Sequence, residues 1–142
     1  MTRRAIALVL LVLLVTSSAA WLLAQGASVL DGVYTSEQSA SGQALYRDNC
    51  ASCHGEALDG HGQAPALTGS EFATSWNDAP VWDLFNKIQT TMPADDPGQL
   101  SPEQTATIVA HIFKANNFPA GSTALPTSED ALKAIRIVAP AK

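Results

Sequence analysis

Cysteine is nearly missing from this chain: 142 residues contain two, at positions 50 and 53. A zinc site wants four ligands at metal spacing, and without a third cysteine the sequence does not supply them. Basic residues are scarce as well. Eight Lys+Arg face thirteen Asp+Glu, and two of the eight, Arg3 and Arg4, sit at the extreme N-terminus. The remainder of the chain is therefore near −7, with no basic cluster to neutralise phosphates, which excludes nucleic acid as a partner. The plain meaning of this acidity is solubility; a part in docking is the alternative, since charge acts on association more than on fold. Methionine occurs once beyond the initiator, at Met92. No internal repeat or low-complexity run is present, and the length suits one domain.

The two cysteines form Cys50-Ala51-Ser52-Cys53-His54. This is C-x-x-C-H, the signature of covalent c-type haem attachment. Two thiols adding to the two vinyl groups of one porphyrin must lie about one helical turn apart and face the same way. The next residue, His54, then lies under the macrocycle, where an imidazole nitrogen can bind iron. A thioredoxin-like redox pair shares the C-x-x-C spacing but needs a cytosolic βαβ context, and none follows.

Residues 1–24 have the three parts of an export signal: Arg3-Arg4, the apolar run Ala5 to Val15, then Ser17-Ser18-Ala19-Ala20. Cleavage after Ala20 or Ala24 fits. An uncleaved anchor competes, because residues 5–24 carry no formal charge over about twenty positions, the length of a bilayer span. In both cases the functional part is expected outside the cytoplasm, in the periplasm. Residues 25–35 are expected to be a linker.

Thr35-Ser36-Glu37-Gln38 opens a helix in which Thr35 caps and Gln38 reaches back. It is expected to run to about Cys50, with Gly42 and Tyr46 on one face. A glycine inside a helix costs roughly 0.5–1 kcal/mol relative to alanine and usually marks close approach of another backbone. Gly55 to Gly69 reads as a loop. Pro65 within it is either a simple turn residue or the carbonyl that orients a ligating histidine. Val81 to Thr91 reads as a helix burying Val81, Leu84, Phe85 and Ile88. Met92 follows in a stretch stiffened by Pro93 and Pro97, where it can be aimed at a fixed point as a second axial ligand. Ser101-Pro102-Glu103-Gln104 starts the last helix with a cap, a first-position proline and a reciprocal glutamine. Its buried face is Ile108, Val109, Ile112 and Phe113, and Asn116-Asn117 ends it. Residues 122–142 form a tail with one apolar stretch, Leu132 to Val138.

Taken together, residues 36–121 resemble a class I cytochrome c of the small bacterial single-haem kind. They are similar more narrowly to the cytochromes that accompany, or are fused to, quinoprotein (PQQ-dependent) dehydrogenases. The matching pieces are Gly42-x-x-x-Tyr46, Cys50-x-x-Cys53-His54-Gly55, Ala64-Pro65-Ala66-Leu67-x-Gly69, Thr91-Met92-Pro93 and Ile108-Val109-Ala110-His111-Ile112. The resemblance implies an all-α fold whose first and last helices cross at Gly42 and Tyr46. It also implies one haem c on Cys50 and Cys53, with His54 and Met92 as axial ligands and the Pro65 carbonyl bonded to His54. His111 departs from the family, which usually has an aromatic there. His61 is expected to face solvent.

Two functions fit such a chain. One is single-electron transfer in a respiratory chain, from a dehydrogenase to an oxidase or another cytochrome, without enzymatic activity of its own. The other is a gas sensor or peroxidase-like protein, which needs an open or displaceable sixth position; Met92 separates the two. For docking, the expected exposed edge is small and apolar (Ala51, Ala64, Pro65, Pro93, Ala94), with Glu56, Asp59, Asp95 and Asp96 as an acidic rim.

Overall fold

The computed structural model describes residues 27–138; the expected leader, residues 1–24, lies outside them. The chain is mainly helical, in line with the expected all-α fold. The helices are α1 (Ser36–Asn49), α2 (Ala51–His54), α3 (Gly69–Trp76), α4 (Val81–Thr91), α5 (Pro102–Ala115) and α6 (Glu129–Lys133). Two short strands, β1 (Ala27–Ser28) and β2 (Ile135–Arg136), pair in parallel with Ala27 opposite Ile135. Among the described residues no helix is long and apolar enough to cross a membrane.

Local side-chain chemistry sets the starts of α1 and α5. At α5, the Ser101 hydroxyl accepts from Gln104 N–H at 3.2 Å, and the Gln104 side chain accepts from Ser101 N–H at 2.8 Å. This is the reciprocal cap expected from the sequence. At α1 only half of the expected box forms. Thr35 Oγ1 accepts from Gln38 N–H at 3.1 Å, but the Gln38 amide turns away to the backbone of Leu125. It donates to Leu125 C=O at 3.2 Å and accepts from Leu125 N–H at 2.7 Å. Pairing both groups of a buried residue outweighs closing a solvent-accessible helix end, because an unpaired buried polar group is costly.

Helices α1 and α5 make the principal helix–helix contact of the fold. A Cβ on Gly42 would run into the Thr107 carbonyl and lie 2.9 Å from His111 Cβ, so glycine is what lets the two backbones meet. Tyr46 lies beside His111, ring centroids 5.4 Å apart and tilted by 46°. The buried faces of α4 and α5 are those the 3.6-residue period selects: Val81, Leu84, Phe85 and Ile88, and Ile108, Val109, Ile112 and Phe113.

His111 has a buried Nδ1 without a hydrogen-bond partner. Burial first, then nearby Lys114, lowers its pKa from the ordinary 6.5, with the Ser39 backbone pulling partly the other way. The folded protein thus prefers the neutral ring, and the unfolded chain binds more protons below about 6.5. Stability from this site is fully present above that pH and is lost as pH falls below it. Denaturant titrations of His111→Tyr against the parent should show a gap that widens between pH 7 and 5; a gap independent of pH would place the effect in packing alone.

The stretch before α1 departs from the sequence expectation. The described part of the expected linker is not free: Val29 and Tyr34 are core residues, and the Tyr34 hydroxyl donates to Phe118 C=O at 2.6 Å. The tail also belongs to the core through Leu125, Leu132, Ile135 and Ile137. Ile137 C=O accepts from Asp78 N–H at 2.7 Å, and Ile137 N–H donates to Ala79 C=O at 2.9 Å. The tail therefore straps the turn that precedes α4.

Candidate haem site

Helix α1 ends where the site begins. Cys50 is its C-cap residue, with its N–H on Tyr46 C=O at 2.8 Å. The single turn α2 follows, held by Cys53 N–H and His54 N–H on Cys50 C=O at 3.1 and 2.9 Å. Gly55, at φ +79°, terminates it. The Tyr46 hydroxyl donates to Gly55 C=O at 2.8 Å, clamping the end of the motif to the helix crossing. Burial, with Cys50, Asp59 and Glu56 adding to it, holds the Tyr46 pKa far above its ordinary value. The hydroxyl therefore remains a proton donor throughout the physiological range.

Cys50 and Cys53 form no disulfide with each other, and the first is half-buried and the second exposed. Burial, with Cys53 adjacent, pushes the Cys50 thiol up to about 11. His54 is held from the other side, its Nδ1 lying 2.8 Å from the Pro65 carbonyl oxygen. A carbonyl can only accept, so Nδ1 carries the proton and Nε2 keeps its lone pair free. The Pro65 carbonyl is thus the hydrogen-bond partner of His54.

Met92 caps the C-terminus of α4, half-buried against the core. Its loop is closed at the base by Gln89, whose side chain donates to Leu100 C=O at 2.5 Å. Within the loop Asp96 N–H returns to Pro93 C=O at 3.1 Å. The roles of Gln89 and of the Tyr46 hydroxyl are absent from the sequence reading, because neither belongs to a local pattern. His61 is exposed, in a tight turn paired with Ala64. His111 lies at the helix crossing beside Tyr46.

This donor set fits a covalently held haem. Two cysteine sulfurs sit on one turn, and an imidazole follows with its tautomer fixed so that Nε2 can act as a ligand. Half-covered apolar side chains, Leu67, Met92 and Cys50 among them, pack against the core nearby. Among the described residues no three His, Cys, Asp or Glu side chains gather as a metal cluster of their own.

Comparison with known proteins agrees. Residues 37–112, just over half of the chain, match the family described as cytochrome c oxidase, cbb3-type, subunit III. No curated protein matches. Among solved structures, the chain is similar to the sulfane dehydrogenase SoxCD from Paracoccus pantotrophus, at 28% identity with a TM-score of 0.48. That match covers 56% of this chain and 44% of the other, so this chain corresponds to less than half of its relative's length. The matched segment runs from the first turn of α1 into the last turns of α5 and takes in the attachment motif, the His54–Pro65 contact and Met92. The chain thus belongs to that family, and it is a class I c-type cytochrome with covalently bound haem c.

Proposed function

We propose that this chain is an exported carrier of single electrons, taking them from a dehydrogenase, most simply a quinoprotein, and delivering them to a downstream respiratory acceptor. When haem is bound, His54 and Met92 would hold its iron. The observation that carries this is the His54 ring fixed by Pro65 at 2.8 Å, with Met92 presented from a separately braced loop. Haem c, when bound, supplies a one-electron couple at iron. Around it the protein changes little: Pro65 holds the imidazole in one tautomer, Tyr46 pins the end of the attachment turn, and Gln89 closes the methionine loop. A rigid ligand set suits transfer, because little has to reorganise when the charge changes.

The electron is expected to leave over the edge formed by the attachment turn and the methionine loop. Ala64, Pro65, Pro93 and Ala94 are at least partly exposed there. Ala51 is not; it is buried at 9% exposure, since its place on α2 turns it toward the core. Glu56, Asp59, Asp95 and Asp96 are all exposed, and Glu56 stands 3.9 Å from Arg47. An apolar centre with a charged rim suits a small transient contact, under about 1,200 Å². Such a rim governs encounter rate more than lasting affinity.

The test is stopped-flow reduction by a quinoprotein dehydrogenase from the same compartment. The rate should fall as salt shortens the screening length from about 10 Å at 0.1 M to about 3 Å at 1 M. Asp95→Asn with Asp96→Asn should flatten that dependence and leave the haem spectrum alone. A rate that rises with salt, or a double variant that behaves as the parent, would move the docking face elsewhere.

A further inference from the structure

Asn116 lies just beyond the last turn of α5, where the sequence marks only the end of a helix. Its side chain makes three hydrogen bonds. Oδ1 accepts from Gly69 N–H at 3.2 Å, while Nδ2 donates to Leu67 C=O at 2.8 Å and to Ile112 C=O at 2.9 Å. The partners dictate the orientation: an N–H needs the oxygen, and two carbonyls need the NH₂ group. One amide thus grips the loop backbone at residues 67 and 69 and ties it to the last turn of α5, where Ile112 C=O also accepts from the Asn116 backbone N–H at 3.1 Å.

The loop it grips is the one that carries Pro65. That loop is internally tight. Leu67 N–H and Thr68 Oγ1 both donate to Leu58 C=O, at 2.8 and 3.3 Å. A Cβ on Gly60 would lie 2.7 Å from Ala66 N and 2.8 Å from Ala64 C=O, so its two arms lie backbone to backbone. Such a loop moves as a unit. Among the described residues, both hydrogen bonds from segment 65–69 to the end of α5 are made by Asn116. Gly69, at φ +69°, gives the backbone the left-handed turn that opens α3 right after the grip.

We infer that Asn116 is a positioning residue for His54: it sets the place of the Pro65 carbonyl, and through it the strength of the His54 Nδ1–H bond. Partners of this kind orient the ring and raise its basicity as a ligand. Weakening that bond lowers the donor strength of Nε2, which favours the reduced state. The inference rests on His54 being the proximal ligand.

The experiment uses the holoprotein. Asn116→Leu removes all three bonds at similar volume. Asn116→Asp keeps the acceptor for Gly69 N–H but turns a carboxylate oxygen toward the two carbonyls, and it stands in should the leucine variant not fold. Ser101→Ala weakens α5 from its far end without touching the loop, and is the control. Hydrogen exchange of the His54 ring N–H, followed by NMR, should speed up about tenfold or more in either Asn116 variant and not in the control. At a fixed ambient potential, the reduced-to-oxidised ratio should rise severalfold in the same variants. Parent-like exchange and ratio in both Asn116 variants would overturn the inference, and so would equal changes in Ser101→Ala. A parent protein whose His54 ring N–H is unprotected would instead sink the assignment of His54 as the ligand, and the inference with it.

Discussion

Replacing Cys50 and Cys53 together by alanine is expected to give a colourless protein, even in cells whose haem-attachment machinery works. In the parent, the pigment should survive acid–acetone extraction and denaturing gels, because two thioether bonds hold it. Single replacements leave one such bond and should retain part of the colour. The double variant should also be much less stable. The half-covered side chains Leu67 and Met92 would face water, at about 25 cal/mol for each Å² of apolar surface left uncovered. Pigment still covalently bound in the double variant would end the assignment of the attachment site.

Changing Met92 should alter the iron without emptying the site. Met92→Leu nearly conserves volume, and such core swaps usually cost less than about 1.5 kcal/mol. The fold is therefore expected to hold while the thioether is lost. The weak sulfur-to-iron band at the red end of the oxidised spectrum should vanish, and the reduced protein should bind carbon monoxide. The potential should drop by on the order of 0.1 V, a modest part of the ~0.8 V that axial ligands command. Met92→Ala should do the same with a larger loss of stability. If the spectrum of either variant matches the parent, another side chain holds the sixth position; His111 and His61 are the next to replace.

What could be read from the sequence follows from the range of the forces involved. The α4 and α5 helices show directly, because their apolar residues recur with the helical period; α5 also opens on a local cap, and Pro80 and Pro93 bracket α4. The attachment turn shows because covalent chemistry fixes its spacing. Gly42 shows because a helix seldom tolerates glycine without a reason. Other features have no local pattern. Helix α3 starts at a glycine and buries just Phe72, so no apolar period announces it. Gln38 looks like a capping partner, and only the arrival of Leu125 from the far end of the chain redirects it. The tail's buried residues, Leu125, Leu132, Ile135 and Ile137, have irregular spacing, because each fits a surface made by other elements. Asn116 and Gln89 likewise act on backbone groups of distant residues or loops, which composition cannot reveal.

The pairing of β1 with β2 also imposes an order in time. Ala27 meets Ile135 more than a hundred residues later, so this closure waits until almost the whole chain has emerged. The cysteines at 50 and 53 come out well before α5 or β2 can cover the core. In a flexible chain a cysteine titrates near 8.5, and a few per cent is thiolate at neutral pH. Once the domain closes, burial raises the Cys50 thiol above that range, so less of it is thiolate, and the thiolate is the reactive form. Late, long-range closure is intrinsically slow. It keeps the first thiol reactive during the interval in which attachment can take place. Apoprotein allowed to fold first should therefore load far more slowly than chain captured on emergence, and a truncation before Leu125 should narrow that difference.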